Sequence, residues 1–271
     1  MGILTGQVAL VTGAGRGFGR AIAERFAAEG AAVALLARSL GQLDEVANAI
    51  RGAGGQAIGV RCDVTDPASV AHAVAKTEEL LGPIDLLVNN AGVPGPFGPL
   101  WQVDPDDWWG SQAFHIRAPM LFMHHVLPGM VERDRGRVIC VSAIASRLVA
   151  PNLSAYCTGK IAQNRLVAEA AAELAGTGVA VFAIDPGFAA TQLARDTAAD
   201  PEARKYFQPL IERIESVTHA YGEDPDLARC AQRCLDLASG RYDALSGGYF
   251  ELPDDLDAEL AEKAVGSRKQ V

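Results

Sequence analysis

Short apolar runs alternate along the chain with longer segments in which apolar side chains recur every three or four positions. Three such runs cover residues 8–11, 32–36 and 179–184, and a fourth segment, residues 84–88, is interrupted only by Asp85. Uninterrupted apolar runs of this length are typical of strands in a parallel sheet that is covered on both faces, and the recurring segments predict the covering helices. The pattern therefore predicts a single α/β domain over residues 1–271, with a doubly wound parallel sheet of about seven strands and helices on both faces.

A glycine-rich loop follows the first strand. Gly13, Gly17 and Gly19 separate that strand from a helical segment, which Gly30 is placed to end. Glycine permits the tight turn and lets the backbone approach a pyrophosphate, while the helix N-terminus presents free N–H groups to the anion. Such a loop is often only a turn, but the order strand, loop, helix is the context in which this motif binds a dinucleotide. The sheet is therefore predicted to be of the Rossmann type.

The end of the second strand indicates which dinucleotide binds. Ala37 stands where a carboxylate would accept hydrogen bonds from a ribose 2′-OH, and Arg38 follows it. Arg16 adds a second cation in the glycine-rich loop. Because arginine stays charged and donates bidentately to phosphate, we expect NADP(H) in preference to NAD(H). The alternative is that both arginines are plain surface residues.

A tyrosine and a lysine lie four residues apart in a later helical segment. This spacing places Tyr156 and Lys160 on the same helix face, one turn apart. A tyrosine has an ordinary pKa of about 10, and a neighbouring cation lowers that pKa. Tyr156 could then exchange a proton with a substrate oxygen near neutral pH. Most such pairs are solvated helix faces, so the weight of this one comes from the dinucleotide loop that precedes it.

These motifs and three further segments make the chain resemble the short-chain dehydrogenase/reductase family along nearly its whole length. The segments are residues 62–64, 89–92 and 185–191, and each alone could be turn chemistry because Asn, Gly and Pro dominate loops. By the resemblance, the first holds the adenine, the second lines the cofactor groove and the third packs on the nicotinamide side. The cofactor-binding residues that it implies are Gly13, Arg16, Gly17, Phe18, Gly19, Arg38, Asp63, Val64, Asn90, Ala91, Gly92, Tyr156, Lys160, Pro186, Gly187, Phe188 and Thr191.

The resemblance also implies a reaction. The chain is expected to be an NADP(H)-dependent oxidoreductase that interconverts a carbonyl and an alcohol, with Tyr156 as general acid/base. Lys160 holds the ribose and lowers the pKa of the tyrosine. A second class keeps the fold and the nucleotide without ordinary redox turnover, as a cofactor-binding regulator or as a non-redox isomerase or cyclase. Two departures from the family pattern favour this second class.

The first departure is the absence of a serine. The family usually has one thirteen residues before the tyrosine, where its hydroxyl hydrogen-bonds the substrate oxygen, and this chain has Ala143 there. Ser142 stands one residue earlier, and neighbouring side chains of a strand point to opposite faces. Ser142 is a candidate catalytic residue only if the strand end bends or bulges. Otherwise Tyr156 works without a serine, or another group serves.

The second departure is a histidine where the family usually has an asparagine. The asparagine helps to hold a water that relays protons to the lysine, and its position here carries His115, seven residues after Trp108. Imidazole titrates near neutral pH, so His115 could take over the relay or reach the substrate. It could also merely satisfy a buried backbone group. Pro119 should kink this helix by removing a hydrogen bond.

The segment after the third family motif predicts a lid over the site. Residues 192–221 are rich in charge, and their apolar residues from 207 to 214 recur at helical spacing. A helix that packs permanently on the body is the plainer interpretation. A small hydrophobic carbonyl or alcohol is the expected substrate because apolar side chains surround the expected pocket: Val93, Phe97, Trp101, Leu148, Leu153 and Phe188.

The chain continues past the last expected strand, which covers residues 247–252. The C-terminal extension of residues 253–271 contains a helical segment from residue 256 to about residue 264, which Asp255 is placed to cap. The extension could cover an active site or form a solvated helix. Family members usually pair through their fourth and fifth helices, so the resemblance also implies a homodimer or homotetramer.

Composition narrows the remaining classes of function. The net charge of -9 offers no electrostatic footprint for nucleic acid. No apolar run approaches the roughly 18 residues of a membrane-spanning helix, and no signal segment opens the chain. The five cysteines are odd in number and lack metal-type spacing, so they indicate reduced thiols in a cytoplasmic protein and no metal site.

Overall fold

A single parallel sheet forms the centre of the computed structural model, which describes residues 2–216 and 224–268. Its strands lie in the order β3-β2-β1-β4-β5-β6-β7, and every neighbouring pair is parallel. The order reverses between β1 and β4, and in open α/β sheets ligands bind at such a switch point, outside the carboxyl ends of the strands. The predicted fold class is confirmed. The strands are β1 Val8–Thr12, β2 Ala32–Ala37, β3 Gln56–Arg61, β4 Leu86–Asn89, β5 Gly136–Val141, β6 Val179–Ile184 and β7 Tyr249–Phe250.

Helices cover both faces of the sheet, because crossovers between parallel strands place them there. One core cluster joins the sheet to the first, second and tenth helices, and the other joins it to the third, fifth and sixth. The helices are α1 Gly17–Ala28, α2 Leu40–Gly52, α3 Pro67–Leu81, α4 Pro105–Gln112, α5 Ala118–Glu132, α6 Ser154–Glu173, α7 Gln192–Ala199, α8 Pro201–Tyr206, α9 Gln208–Ser216, α10 Pro225–Ala238 and α11 Leu256–Arg268.

Side chains along β6 alternate between the two cores. Val181 and Ala183 belong to the cluster beneath α5 and α6, whereas Phe182 and Ile184 belong to the cluster beneath α1 and α10. This alternation follows from the two-residue period of a strand. The same alternation sets the face of the sheet on which the residue just beyond the end of β6 lies, and therefore whether it faces α6.

A π-helical turn, Ala113–Arg117, separates α4 from α5. Pro119 has no N–H to donate to the carbonyl of His115, and the N–H of Ala118 reaches back to the carbonyl of Ala113 instead. The helix irregularity in the structure is this π-helical turn, which lies just before Pro119. His115 lies within it, so the turn sets the direction of the imidazole.

The C-terminal extension follows a shorter last strand than the sequence predicts. β7 has two residues, and α11 begins after Asp255, whose carboxylate accepts the N–H groups of Asp257 at 3.0 Å and Ala258 at 3.2 Å. The predicted cap is confirmed, and the helix runs to Arg268 rather than to residue 264. Leu256 is buried in the core and anchors the start of the helix.

Three short helices lie over the edge of the sheet in the segment predicted as a lid. α7, α8 and α9 cover residues 192–216, and residues 217–221 of the predicted lid lie outside the described residues. Ile211 and Ile214 of α9 are buried in a third cluster together with Phe97 and Leu153. No helix within residues 2–216 and 224–268 combines the length and apolar character needed to span a membrane.

Candidate active site

The glycine-rich loop forms a cradle between β1 and α1. Gly13 and Gly17 have positive φ angles of 65° and 56°, which L side chains rarely adopt. A Cβ atom on Gly19 would collide with the carbonyl oxygen of Gly13. The side chain of Arg16, the N-cap residue of α1, makes no capping hydrogen bond. A cradle without side chains at a helix N-terminus fits a dinucleotide pyrophosphate.

Asn90 ties the end of β4 to this cradle. Its side-chain Nδ2 donates to the carbonyl of Thr12 at 2.8 Å and to that of Gly13 at 3.3 Å. The N–H groups of Asn90 and Ala91 both donate to Thr12 Oγ1, at 2.9 and 3.0 Å. The structure thus brings the glycine-rich loop and residues 89–92 together as one wall of a cleft.

The residues expected at the adenine end lie at the ends of β2 and β3. Hydrogen bonds from the side chain and backbone of Thr65 lower the pKa of Asp63, and the charges of Arg38 and Arg61 act in the same direction. Arg38 is exposed, and Val64 is buried. An arginine therefore lies close to Asp63 at the exposed end of the cleft.

Arg16 reaches from the glycine-rich loop to α7, in the segment predicted as a lid. Its guanidinium lies 3.6 Å from the carboxylate of Asp196 in α7, and both side chains are about half exposed. Thr191 packs against the same loop, since a Cβ atom on Gly17 would lie 3.2 Å from its methyl group. Thr191 also caps α7 through Ala194 N.

Tyr156 and Lys160 occupy the first two turns of α6. The Lys160 ammonium donates to the carbonyl of Val141 at 2.7 Å and to Oε1 of Gln163 at 3.3 Å, and it lies 5.7 Å from the centroid of the Tyr156 ring. Lys160 is 4% exposed. Burial lowers the pKa of its ammonium to about 8, against a partial opposing effect of Cys140 and Asp185.

The loop of residues 185–191 is held from below by the N-terminus of α10. Oδ2 of Asp226 accepts the N–H of Phe188 at 2.9 Å, and Oδ2 of Asp224 accepts the N–H of Ala190 at 3.3 Å. Gly187 has a positive φ of 77°, and a Cβ atom there would lie 2.5 Å from Oδ2 of Asp226. The backbone can therefore make this turn only with glycine at residue 187.

Comparison with known proteins agrees with this geometry. The sequence model of the short chain dehydrogenase family matches residues 7–202. A short chain dehydrogenase of Pseudocercospora fijiensis is 35% identical over 273 residues, which cover 98% of this chain and 87% of the relative. The chain belongs to the short-chain dehydrogenase family. Membership makes it an oxidoreductase of the kind that uses a nicotinamide cofactor.

Two solved structures extend the comparison. A metagenomic short-chain oxidoreductase in complex with NADP is 32% identical, with a TM-score of 0.71 over 88% of this chain and 92% of its own. NAD⁺-bound xylitol dehydrogenase is 27% identical, with a TM-score of 0.78 over 92% of this chain and 98% of its own. The two hold different cofactors, so similarity gives no preference between NADP and NAD⁺.

The usual serine of the short-chain dehydrogenases has no direct substitute at Ser142. The Ser142 hydroxyl is buried and directed at the backbone carbonyl of Lys160, 3.4 Å away, and its N–H donates to the carbonyl of Ile184 at 2.7 Å. Ala143 has extended backbone angles, and no bulge turns the hydroxyl of Ser142 the other way. Among the described residues, Ser142 therefore contacts the helix that carries Tyr156 rather than the phenol itself.

His115 occupies the usual asparagine position as a neutral imidazole. Its Nε2 lies 2.9 Å from the carbonyl oxygen of Val93, a contact that requires the N–H tautomer at Nε2. Burial lowers the pKa of His115 to about 3, and the charge of Lys160 acts in the same direction. The expectation that this histidine titrates near neutral pH is therefore wrong for this site, because the ring is fully buried beside a cation.

The pKa of Tyr156 is raised, whereas its spacing from Lys160 predicted a lowered pKa. Burial raises it above its ordinary value, and the negative charge of Asp185 acts in the same direction. Lys160 does not offset these effects because its ammonium is directed at the Val141 carbonyl. A phenol with a raised pKa stays protonated at neutral pH, which suits a proton donor in a reduction.

Several residues around the site carry no sequence motif that singles them out. Gln112 is buried and donates from Nε2 to the carbonyl of Ala155 at 3.0 Å, which fixes the start of α6. Gln163 accepts a hydrogen bond from the Lys160 ammonium. It follows Lys160 by three residues, so its place on the same helix face could be predicted from the sequence. Asp224 and Asp226 flank the proline that begins α10, a usual place for capping acids, and only the structure reveals their second contact.

Proposed function

We propose that the protein is an NADP(H)-dependent oxidoreductase that interconverts a carbonyl and an alcohol. The observation that carries the proposal is the position of Tyr156, which lies one helix turn from a buried ammonium and packs against the apolar cluster beneath the lid. When bound, the nicotinamide supplies or accepts the hydride. In the reduction direction, Tyr156 Oη donates its proton to the substrate oxygen. Lys160 and Tyr156 would hold the nicotinamide ribose.

Two cations favour a cofactor with a 2′-phosphate. Arg16 lies in the glycine-rich loop and Arg38 at the end of β2, on the side where the adenosine ribose binds in this fold. Ala37 leaves the ribose without a carboxylate partner. The planar forks of the two arginines would bind the 2′-phosphate, as guanidinium groups commonly do.

The apolar cluster under the lid favours a hydrophobic substrate. Tyr156 and Phe188 pack against Phe97 and Leu153 in this cluster. α9 closes over the same loop, since the guanidinium of Arg213 lies 4.1 Å from the centroid of the Phe188 ring. Trp101 and Leu148, which the sequence also places near the pocket, are mostly exposed at 83% and 56%. The wall is therefore apolar at the phenol and open at its rim.

The experiment is a panel of ketones and aldehydes of increasing apolar size, each with NADPH and with NADH, monitored by the loss of reduced-nicotinamide absorbance. We expect turnover with NADPH at a higher kcat/KM than with NADH, and with apolar carbonyls above sugars. Turnover with NADH alone would refute the cofactor assignment while leaving the reaction class intact.

A second function is favoured by Ala143, which removes the hydroxyl that usually orients the substrate oxygen. The chain would then bind NADP(H) as a regulator, or use Tyr156 and Lys160 for proton transfer in an isomerase or cyclase. Tight binding of NADPH, measured by calorimetry, together with no turnover over the whole panel, would favour this second function.

We also propose that the protein is a cytoplasmic homodimer or homotetramer. α5 and α6 carry exposed apolar side chains, including Met120, Val131 and Ile161 at 42%, 41% and 57% exposure, which pairing through these helices would cover. The described cysteines are all free thiols, as expected in a reducing compartment. Light scattering of the purified protein tests the assembly, and a monomeric mass would contradict it.

A further inference from the structure

A carboxylic acid stands beside the position of the absent serine. Asp185 follows β6 directly, and its Oδ1 accepts the backbone N–H of Ile144 at 3.1 Å. Ile144 is the residue immediately after Ala143. The carboxyl group of Asp185 therefore lies within one residue of the place where the short-chain dehydrogenases usually present a hydroxyl.

The register of the sheet directs this carboxyl group toward α6. The ladder continues past β6 on both sides, because Ser142 N donates to the carbonyl of Ile184 at 2.7 Å and Asp185 N donates to the carbonyl of Phe250 at 2.9 Å. Asp185 thus leaves the strand on the same face as Val181, Ala183 and Ser142, but its side chain is longer than that of Ser142 and reaches past the strand end to the N–H of Ile144. Tyr156 and Lys160 project from α6 over the same edge, and the charge of Asp185 acts on both groups.

We propose that Asp185 is a further catalytic residue, which in its protonated form donates a hydrogen bond to the substrate oxygen beside Tyr156. The inference rests on the proposed carbonyl reduction and gives the missing serine hydroxyl a replacement. The Asp185 proton stays on the carboxyl group throughout. The proton that completes the alcohol comes from Tyr156, so a single proton is transferred for each hydride.

The surroundings of Asp185 keep part of it protonated near neutral pH. Burial raises its pKa to about 6, and the negative charges of Glu251 and Asp226 act in the same direction, against the N–H groups of Ile144 and Gly187. The titratable and charged groups of the described residues that face it are Tyr156 and Lys160 from α6, Tyr249 and Glu251 at β7, and Asp226 and Cys230 from α10.

The sign of the pH effect follows from the direction of the shift. With a pKa of about 6, half of the carboxyl groups are protonated at a pH of about 6, and about a tenth are protonated one unit higher. A donor role makes the rate of carbonyl reduction highest below this pKa and makes it fall as the pH rises through it. Lys160, with a pKa of about 8, and His115, with a pKa of about 3, titrate outside this window.

Asp185 also has a plain structural role, since its carboxylate accepts backbone N–H groups from two loops, and the experiment must separate the two roles. Asp185→Asn keeps an acceptor for these N–H groups and carries an amide donor that does not titrate. We expect its kcat for reduction to be independent of pH between 5 and 7, where the wild-type kcat falls. A wild-type fall that persists in Asp185→Asn would overturn the inference.

A second pair of variants tests the identity of the missing group. Below a pH of about 6, Asp185→Ala should lower kcat by about 100- to 1,000-fold, as the loss of one donor to a developing oxyanion does. Adding Ala143→Ser to this variant restores the hydroxyl of the family and should recover most of the lost kcat. A purely structural Asp185 predicts that Ala143→Ser raises kcat by the same factor in wild type as in Asp185→Ala, and equal factors would also overturn the inference. Should Asp185→Ala fail to fold, the pH profile of Asp185→Asn decides alone.

Three further measurements complete the test. NADPH binding to wild type and Asp185→Asn, followed by fluorescence between pH 5 and 7, should be equal. The ¹³C resonance of the Asp185 carboxyl group in the protein without added cofactor should titrate near a pH of about 6.

Asp226→Asn removes a like charge from the same edge and should shift the fall in kcat to lower pH without abolishing it. A wild-type enzyme without any carbonyl reduction would refute the proposed function instead.

Discussion

The imidazole of His115 lies edge-on against the phenol ring of Tyr156, with ring centroids 5.2 Å apart and ring planes at 89°. Two glycines leave room for it. A Cβ atom on Gly92 would lie 3.3 Å from Cε1 of His115, and one on Gly159 would lie 2.7 Å from its Cβ. The histidine therefore forms part of the wall that fixes the plane of the Tyr156 ring.

Replacing His115 tests this positioning role. His115→Ala removes the contact with the Val93 carbonyl and the packing against Tyr156, so we expect a loss of about 1–3 kcal/mol in the free energy of unfolding and a lower kcat. His115→Asn can still donate to Val93 and should lose about half as much. Chemical denaturation and steady-state kinetics check both variants, and equal losses for the two would contradict the hydrogen-bonding role.

The lowered pKa of His115 makes a separate prediction about acid stability. Its ordinary pKa is 6.5 and its folded value is about 3, so the unfolded chain takes up the proton first as the pH falls. The stability of wild type relative to His115→Asn should be constant above pH 6.5 and should decrease from there down to about pH 3. Unfolding measured at several pH values checks this, and an increase on acidification would show that the imidazole is not buried in its neutral form.

Gly159 and His115 should be energetically coupled. Gly159→Ala places a Cβ atom 2.7 Å from the Cβ of His115 and 2.8 Å from Oε1 of Gln112, so we expect a loss of about 1–3 kcal/mol in stability. His115→Ala keeps the Cβ atom but removes the ring, whose Cδ2 would lie 3.0 Å from the new Cβ atom, so the loss should be smaller in that background. A double-mutant cycle measures the difference, and additive losses would mean that the two side chains are independent.

The contact between Arg16 and Asp196 predicts an effect on cofactor choice. Arg16→Ala and Arg38→Ala should each weaken NADPH binding by about tenfold, because each removes a charged donor, and should leave NADH binding nearly unchanged. Asp196→Asn frees the guanidinium of Arg16 and should tighten NADPH binding by a small factor, since an exposed ion pair contributes little. Calorimetry with both cofactors checks this series, and equal losses for NADPH and NADH would refute the phosphate assignment.

A buried ammonium should make Lys160 costly for stability at neutral pH. Its pKa falls from 10.5 unfolded to about 8 folded, so the penalty is largest below pH 8 and disappears as the pH rises to 10.5. Lys160→Met should be inactive yet nearly as stable as wild type at pH 7, and wild type should gain stability relative to it between pH 8 and 10.5. Thermal unfolding across this range provides the measurement. A constant difference would mean that the ammonium is not desolvated.

The sheet and the cofactor cradle follow from local patterns in the sequence. Short apolar runs without alternation are typical of strands in a parallel sheet that is covered on both faces, and Gly13 and Gly17 adopt the positive φ angles that a loop of this kind requires. The cap of α11 at Asp255 is equally local. These features depend on residues close together in the chain.

The protonation states could not be derived in this way because they depend on burial. A spacing of four residues places Tyr156 and Lys160 on one helix face, but it does not show that the ammonium is directed at the Val141 carbonyl or that the imidazole of His115 is fully buried. The proximity of Asp185 to Ala143 arises from the pairing of β5 with β6, whose residues are far apart in the chain. Sheet register is a tertiary property, and local sequence does not reveal it.

The most direct test of the central claim is the comparison of Tyr156→Phe with wild type in single-turnover oxidation of NADPH by an accepted carbonyl substrate. The variant lacks only the phenolic hydroxyl, which carries the transferred proton, so we predict a rate lower by at least about 100-fold, with NADPH affinity within about twofold of wild type and an unchanged melting temperature. A Tyr156→Phe protein that reduces the carbonyl at the wild-type rate would contradict the claim.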